Sequence, residues 1–134
     1  MEKNVTIVIE SVNDYGDNKD SNIFSHDGCC SVVNGKAYYS YEDDCKNMIV
    51  LDDNNVKLSR KSERYRSVMD FCDGKKTAAT YNLEGLSMAM EIDTKSLTVI
   101  CEETYVNIRI NYIVIMDGSK VSDNTVDIKI TSKI

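Results

Sequence analysis

The sequence predicts an all-β protein, folded as a single antiparallel meander β-barrel with little or no helix. Runs of β-branched, aromatic and alternating residues recur along all 134 residues, and short turn pairs separate most of them. No run shows a sustained helical period. Strands joined by such short turns must be antiparallel, because a parallel pair needs a long crossover. We expect one domain, covering residues 1–134.

Five strands are predicted in the first half of the chain. The first is "VTIVI", in which β-branched residues dominate. A polar stretch, "NDYGDNKDS", separates it from the second. The segment "YEDDCKNMIVLDD" leaves room for one turn of helix as an alternative to continuous strand. The predicted strands cover residues 5–9, 22–33, 36–42, 47–51 and 56–61.

The second half of the chain continues the same pattern. Apolar residues alternate with polar ones through the first half of "YVNIRINYIVIM", which is typical of a strand with one face covered. The predicted strands here cover residues 65–72, 76–83, 86–92, 97–102, 105–116 and 125–131.

Turn pairs mark the ends of these strands. Several of them tolerate the positive φ that tight hairpin turns require. The pairs are Asn34-Gly35, Asp53-Asn54, Asp73-Gly74, Glu84-Gly85, Asp93-Thr94 and Asp117-Gly118.

A closed barrel is favoured over a sandwich, because closure removes the two long edges that about ten strands in one open sheet would expose. Alternation then assigns the barrel lining, since every second side chain of a strand shares a face. The faces expected to look inward are those of Leu86, Met88, Met90 and Ile92, of Val106, Ile108, Ile110, Tyr112 and Val114, and of Val126, Ile128 and Ile130.

The alternation breaks late in one strand, where Ile113 and Ile115 fall on the outer face. Val8 falls on the outer face of the first strand. If these three residues come together, they form an apolar patch that needs a cover. A short helix, the segment "NDYGDNKDSNIF" folded back, or a second subunit would each supply one. A homodimer is therefore one prediction.

Composition excludes several partners. A net charge of −6 argues against nucleic-acid binding, and "KLSRKSERYR" fits a solvated hairpin better than a basic binding face. No apolar run approaches the roughly 18 residues of a membrane-spanning helix, and the first residues lack a secretory signal. Five cysteines, an odd number, suit reduced thiols. We expect a cytoplasmic protein with no membrane partner.

The order of motifs resembles a family of small bacterial proteins of unknown function, the DUF1934 or YwiB-like family, assigned to the calycin-like β-barrels. The resemblance spans nearly the whole chain and implies a calycin (lipocalin)-like barrel with no established activity. It is carried by "DGCCSVVNGKAYYSYEDD", "VKLSRKSERYRSVMDF", "CDGKKTAATY", "LSMAMEIDTKSL" and "INYIVIMDGSKVSDNTVDIKI". The chain departs from the family pattern at "TYNLEGLSM", where this hairpin is expected to have a different shape.

No catalytic residue, metal site or cofactor is predicted. His26 lies three residues before Cys29-Cys30, but neighbouring residues of a strand project to opposite faces and cannot both bind one zinc ion. A Cys-His pair formed in space stays open as an alternative. The chain has no phosphate loop and no nucleophile elbow. The sequence therefore favours a binding role over an enzymatic one.

Arg60 is the first candidate for a ligand contact. It continues the apolar row of Val56 and Leu58, which places a cation inside the barrel or at its rim, where it needs a partner. A structural ion pair with an aspartate or glutamate, or a hydrogen bond to carbonyls at a strand end, is favoured over the anionic head of a ligand.

The remaining candidates are adaptable or amphipathic side chains expected to point inward. They suit either a packed interior or an apolar pocket with phenolic hydroxyls. They are Tyr65, Met69, Phe71, Tyr81, Met88, Met90 and Tyr112. The predicted function is a non-enzymatic binder of a small, largely apolar or amphipathic ligand in the barrel interior. The alternative is a filled barrel that acts through its outer surface.

Overall fold

The structure of the protein is a computed structural model that describes residues 3–133. In this part of the chain there are ten β-strands and no helix. The strands are β1 (Lys3–Asp14), β2 (Lys19–Val33), β3 (Lys36–Glu42), β4 (Lys46–Asp52), β5 (Asn55–Lys61), β6 (Tyr65–Cys72), β7 (Lys76–Leu83), β8 (Leu86–Cys101), β9 (Tyr105–Met116) and β10 (Ser119–Ser132).

Each strand pairs antiparallel with its neighbours in sequence, and β1 pairs with β10 to close the barrel. The closing ladder runs from Val5 opposite Ser132 to Asp14 opposite Asp123. The predicted fold class, an antiparallel meander barrel with little or no helix, is therefore confirmed. We call the end that carries the β1–β2, β3–β4, β5–β6, β7–β8 and β9–β10 turns the mouth, and the opposite end the far end.

Three tight turns at the strand ends have the predicted chemistry. Asn34-Gly35, Glu84-Gly85 and Asp117-Gly118 have positive φ at both residues, with φ of 52° at Asn34 and 80° at Gly35, for example. This is the type I′ geometry, whose twist matches that of the flanking strands. These turns fix the register of the hairpins they join.

The predicted break at Asp93-Thr94 is wrong, because β8 runs through it as one strand. The ladder between β8 and β9 shifts register between Thr94 and Ser96, which leaves Lys95 as a bulge. On the other side of β8, the β6–β7 turn takes over the pairing: Gly74 N–H donates to Thr94 O, and Thr94 N–H donates to Lys75 O, both at 3.0 Å. The chain stays extended since both edges remain hydrogen-bonded.

The polar stretch between the first two predicted strands is also mostly strand. β1 extends to Asp14 and β2 begins at Lys19, so only residues 15–18 form the connection. Tyr15 N–H donates to Asn18 O at 2.8 Å, which closes the turn. The longer hairpin forms because β10 pairs with β1 along this whole length.

The core fills the inward-facing side of the barrel. Leu86 and Met88 share the inward side of β8 but are exposed, which corrects the expectation that they line a covered interior. They lie before Glu91, where the ladder to β9 begins, so no neighbouring strand encloses them on that side. The residues buried at the expected inward positions are Ile92, Ile108, Ile110, Tyr112, Val126, Ile128 and Ile130.

Ion pairs flank the outward-facing residues of β9. Ile113 and Ile115 are half-buried, and their partners across the ladder are Asp123 and Lys120 of β10. These two partners form an ion pair with each other. On the other side, Asp93 of β8 lies opposite Ile113. The carboxylates and the lysine stem reduce the exposure of both isoleucines.

Val8 does not join Ile113 and Ile115 in one patch. It pairs with Lys129 of β10, six positions from Asp123, which is the partner of Ile113. Six residues of strand span about 20 Å. The segment expected to fold back as a cover is itself the β1–β2 hairpin. The three residues therefore do not form one apolar patch that a second subunit would cover. The homodimer stays a prediction.

Gly28 of β2 lies where Ser40 of β3 and Ile7 of β1 leave no room for a side chain. A Cβ at this position would collide with the carbonyl oxygen of Ser40 and lie 2.9 Å from Ile7 Cδ1. The Gly28→Ala variant is therefore expected to lose about 1–3 kcal/mol of unfolding free energy through overpacking. Urea denaturation followed by circular dichroism measures this. Ser25→Ala, on the exposed part of the same strand, is the control and should change stability by less than about 0.5 kcal/mol. Equal stability of wild type and Gly28→Ala would contradict the close approach.

Candidate functional site

A cavity of about 280 Å³ opens at the mouth of the barrel. Seven strands, β1 to β5 with β9 and β10, contribute to its walls. Nearly all of the lining positions are the inward-facing ones that the ladder register places together. They are Ile9, Ser11, Asn13, Phe24, His26, Tyr41, Asp43, Asn47, Met48, Ile49, Leu58, Ser59, Arg60, Tyr112, Val126 and Ile128.

The deep part of this cavity is apolar. Ile49 and Ile128 are fully buried, Val126 is nearly so, and Leu58 packs partly buried against the same core. They come together because Leu58 pairs with Ile49 across β4 and β5, while Val126 and Ile128 occupy the inward side of β10. A molecule that reached this floor would lose apolar surface to protein rather than to water.

Arg60 stands at the edge of the cavity, one inward position beyond Leu58. Its Nε donates to Asn47 Oδ1 at 2.9 Å, and its Nη2 lies 3.4 Å from Asp43 Oδ2. Its guanidinium carbon lies 5.9 Å from the centre of the Tyr65 ring. The favoured interpretation, an ion pair with an aspartate, thus has its partner. The side chain is nevertheless 46% exposed, so the cation also faces the mouth.

Asp43 organises the β3–β4 turn beside Arg60. Its Oδ1 accepts hydrogen bonds from the backbone N–H of Cys45 at 2.8 Å and from Asn47 Nδ2 at 2.9 Å. Desolvation, the largest single influence, raises the pKa of Asp43. The two hydrogen bonds together with the charges of Arg60 and His26 outweigh it, and the pKa falls below its ordinary value of 3.8. The carboxylate therefore stays ionised and holds both Asn47 and Arg60.

An aromatic wall continues from Arg60 along the neighbouring strands, since Asn47 of β4 pairs with both Arg60 and Tyr41. The rings of His26 and Tyr41 stack with centroids 4.9 Å apart, and Phe24 continues the stack at 6.3 Å from His26. Burial raises the pKa of Tyr41, the charge of Asp43 raises it further, and Arg60 offsets part of the increase. The phenol therefore keeps its proton and can donate a hydrogen bond.

Tyr112 separates the cavity from the packed core. Its ring meets Phe71 edge to face, with centroids 4.8 Å apart. Burial, with a smaller contribution from Tyr15, raises the pKa of Tyr112 to about 12. A second neutral phenol thus borders the cavity. Together with the guanidinium, the imidazole and Asn47, these groups can orient a small bound molecule.

The eight predicted contact residues fall into three groups. Arg60 and Tyr112 line the cavity, and Tyr65 lies beside Arg60 with its ring against Tyr81, 5.0 Å away. Met69 and Met90 are partly buried against the core, and Phe71 lies within it. Met88 is exposed on the β7–β8 hairpin. The structure thus brings together only part of the predicted set.

Sequence reasoning missed most of the aromatic wall and the acidic partner. Phe24 and His26 lie on β2, whose inward side also carries Asp20 and Asn22, so no apolar alternation marks it. Tyr41 was detectable, since it shares a face with Tyr39. Phe24 and His26 come close to Tyr41 because Gly28 of β2 pairs with Tyr41 of β3. This pairing is a property of the ladder register and is not visible in the sequence.

Further depressions lie elsewhere on the barrel, and two of them show how they differ from the mouth cavity. A wide groove of about 760 Å³ lies outside it, between the β5–β6 and β7–β8 turns, with mostly exposed and charged walls that include Arg64 and Glu84, 3.4 Å apart. A cavity of about 150 Å³ lies at the far end, beside Cys30 and Tyr39. The mouth cavity alone of the three combines the buried floor of Ile49 and Ile128 with the Arg60 cation.

No group of three or more His, Cys, Asp or Glu side chains within residues 3–133 is placed to hold a metal ion. Cys29 pairs with Ser40 and Cys30 with Tyr39, so the two side chains project to opposite faces as expected. In the same part of the chain no helix is long and apolar enough to cross a membrane.

These features define a class of protein: a closed antiparallel barrel of ten strands with a small cavity at one end. Residues 7–128 match the family described as "Domain of unknown function (DUF1934)", and the chain belongs to this family. Its fold is similar to the crystal structure of the ywiB protein from Bacillus subtilis, with a TM-score of 0.87. The two chains are 20% identical over 99% of this chain and 94% of that one. No curated protein matches the chain.

Replacing Asp43 by Asn tests the polar edge of the cavity. Because the pKa of Asp43 is lowered in the folded protein, its contacts stabilise the fold above the unfolded-state pKa, about 3.9. That contribution is lost as the pH falls through the lower folded-state pKa. At neutral pH Asp43→Asn should cost at most about 1 kcal/mol, as is usual for a partly exposed pair.

The measurement is urea denaturation of wild type and variant at neutral pH and at about pH 3, where the difference should shrink. Asp44→Asn removes a charge from the same turn, and no ion pair within residues 3–133 involves Asp44. It is the matched control. A difference between wild type and Asp43→Asn that stays constant with pH would contradict the assignment.

Proposed function

We propose that the protein is a non-enzymatic binding barrel whose mouth cavity holds one small amphipathic molecule. The apolar part of the ligand lies on the floor formed by Ile49, Leu58 and Ile128, and its polar head meets Arg60. The observation that carries the proposal is the cavity itself, which joins a buried apolar floor to a cation within about 280 Å³.

The size of the cavity limits the ligand. Cavities that bind drug-sized molecules measure roughly 300–1,000 Å³, and this one, at about 280 Å³, lies just below that range. A short alkyl or single-ring body fits such a volume, whereas a long lipid does not. The proposed ligand is therefore small, with one compact apolar part.

Arg60 supports a hydrogen-bond acceptor as the head group. A guanidinium carries five N–H donors, and hydrogen bonds to Asn47 and Asp43 account for two of them. The other donors are available to a ligand on an arginine side chain that is 46% exposed. A carboxylate is the favoured head group, because a carboxylate and a guanidinium match in shape and charge.

The alternative is a filled barrel that acts through its outer surface. It is supported by the packed interior, where large inward-facing side chains such as Phe71, Ile7 and Ile108 are almost completely buried. We also propose that the protein works in the cytoplasm. Five free thiols support this location, because thiols persist in a reducing compartment.

The first experiment is native mass spectrometry of the protein as purified from cells, compared with the same sample after denaturation. A reproducible additional mass that leaves on unfolding supports the binding barrel and gives the mass of the ligand. If the protein shows only its unliganded mass, binding is tested by titration with probe molecules, which does not require that a ligand is retained through purification.

Three eight-carbon probes test the site directly: octanoate, 1-octanol and octylammonium, each titrated into ¹⁵N-labelled protein and followed by NMR. Octanoate should bind most tightly and perturb residues at the mouth. Arg60→Met should weaken octanoate by about tenfold, the usual worth of a charge-assisted hydrogen bond, and octanol much less. Arg66→Met, an exposed charge on the neighbouring strand, is the control.

A second variant tests the cavity without touching its charge. Ser11→Phe places a large ring at the cavity wall and should abolish binding of all three probes, provided that circular dichroism shows a folded barrel. Perturbations that spread over the outside of the barrel, with equal affinities for the three probes, would refute the proposed site and favour the outer-surface alternative.

A further inference from the structure

We infer that two copies of this chain associate by pairing the free edge of β2, residues 19–27, antiparallel about a twofold axis at Ile23. The inference concerns the outside of the barrel and does not depend on the proposed ligand. It rests on three observations: an unpaired strand edge, exposed apolar side chains on that edge, and a charge pattern that complements itself.

One edge of β2 has no partner strand along this segment. The ladder with β1 runs through the whole of it, from Lys19 opposite Asp14 to Asp27 opposite Thr6. The ladder with β3 begins only at Gly28, opposite Tyr41. Within residues 3–133 no other strand pairs with residues 19–27. The backbone N–H and C=O groups of this segment that point away from β1 are therefore available to pair with another strand.

The side chains of this segment are exposed as well as its backbone. All of residues 19–25 are exposed, including Ile23 at 68% and Phe24 at 50%. The chain contains no proline, so this means of protecting an edge strand is missing here. An exposed edge with apolar residues at its centre is the surface that strand addition uses.

The sequence of the segment, "KDSNIFSHD", complements itself when it is read in the opposite direction. With Ile23 opposite Ile23, Lys19 of one copy lies opposite Asp27 of the other. Asp20 then lies opposite His26, so that a carboxylate meets an imidazole N–H. The twofold axis repeats each pair, which gives four favourable polar pairs around a central isoleucine contact.

Only this register produces these pairs. Residues opposite each other in an antiparallel pair have their side chains on the same face of the sheet. The nearest alternative registers that keep this match place the twofold axis at Asn22 or at Phe24. An axis at Asn22 sets Asp20 opposite Phe24 and brings Asp17 opposite Asp27. An axis at Phe24 sets Asn22 opposite His26 and Ser21 opposite Asp27. Both lose the two opposite-charge pairs.

The contacts already present leave room for this pairing. Asp27 Oδ1 accepts from Lys133 Nζ at 2.5 Å, and the second carboxylate oxygen is available to Lys19 of the other copy. The inward side of the same segment carries Phe24 and His26, which line the mouth cavity. Pairing would therefore place the second copy beside the mouth and narrow access to it from this side.

Disulfide trapping tests the register in the full-length chain. Ile23→Cys places a thiol opposite its own copy, and oxidised glutathione should link two chains through this introduced thiol, identified by peptide mass mapping against the five native cysteines. Ser21→Cys is the matched control on the same exposed face. In the proposed register the two copies of position 21 lie about 13 Å apart, beyond the reach of a disulfide.

Charge reversal tests the complementarity, with the mass in solution measured by light scattering across concentrations. The wild type should reach twice the mass of one chain. Lys19→Asp should raise the dissociation constant about tenfold or more, because it sets like charges opposite each other in both pairs. The double variant Lys19→Asp with Asp27→Lys should restore it to within about threefold. Thermal melts confirm that each variant is folded.

Two results would overturn the inference. One is a mass of a single chain at about millimolar concentration. The other is a dimer in which Ile23→Cys links no better than Ser21→Cys, or which Lys19→Asp leaves unchanged, since either finding places the interface elsewhere on the barrel.

Discussion

Closure of the sheet between β1 and β10 is the constraint on which the other features depend. The ladder fixes the first strand against the last, and with it the inward positions of every strand between them. The strands have unequal lengths, from seven residues in β3, β4 and β5 to 16 in β8. A closed sheet of such strands encloses a packed core at the level where all of the strands overlap. Where some strands extend beyond the others, the barrel has an open mouth, and β2 has an unpaired edge.

Most of the fold could be predicted because alternation and turn chemistry are local properties. The strand β8 shows where this fails. Its inward residues are Ile92 and Thr94 before the bulge and Leu97 and Val99 after it, since the extra residue Lys95 shifts the alternation by one position. In the sequence this shift looks like a turn between two strands. Pairing with the β6–β7 turn and with β9 keeps the segment extended, and both are contacts between distant parts of the chain.

The site was less predictable than the fold for a related reason. Arg60 could be recognised since a charge that continues an apolar row is unusual and requires a partner. Its partners Asp43 and Asn47 lie 17 and 13 residues away in sequence. Which carboxylate of a polar turn reaches a given arginine depends on the ladder register. His26 likewise gains its meaning from stacking on Tyr41, a contact across two strands.

The short hairpin connections have a consequence for how the protein is made. Nine of the ten ladders join strands adjacent in sequence, and only the β1–β10 ladder joins distant ones. On the ribosome the nine can form in the order of synthesis, while β1 waits with one edge unpaired until β10 emerges. Because it closes the longest loop, this ladder carries the largest loop-closure entropy cost of the ten. Until β10 has emerged and paired with β1, the nascent barrel therefore keeps an unpaired strand edge that can aggregate.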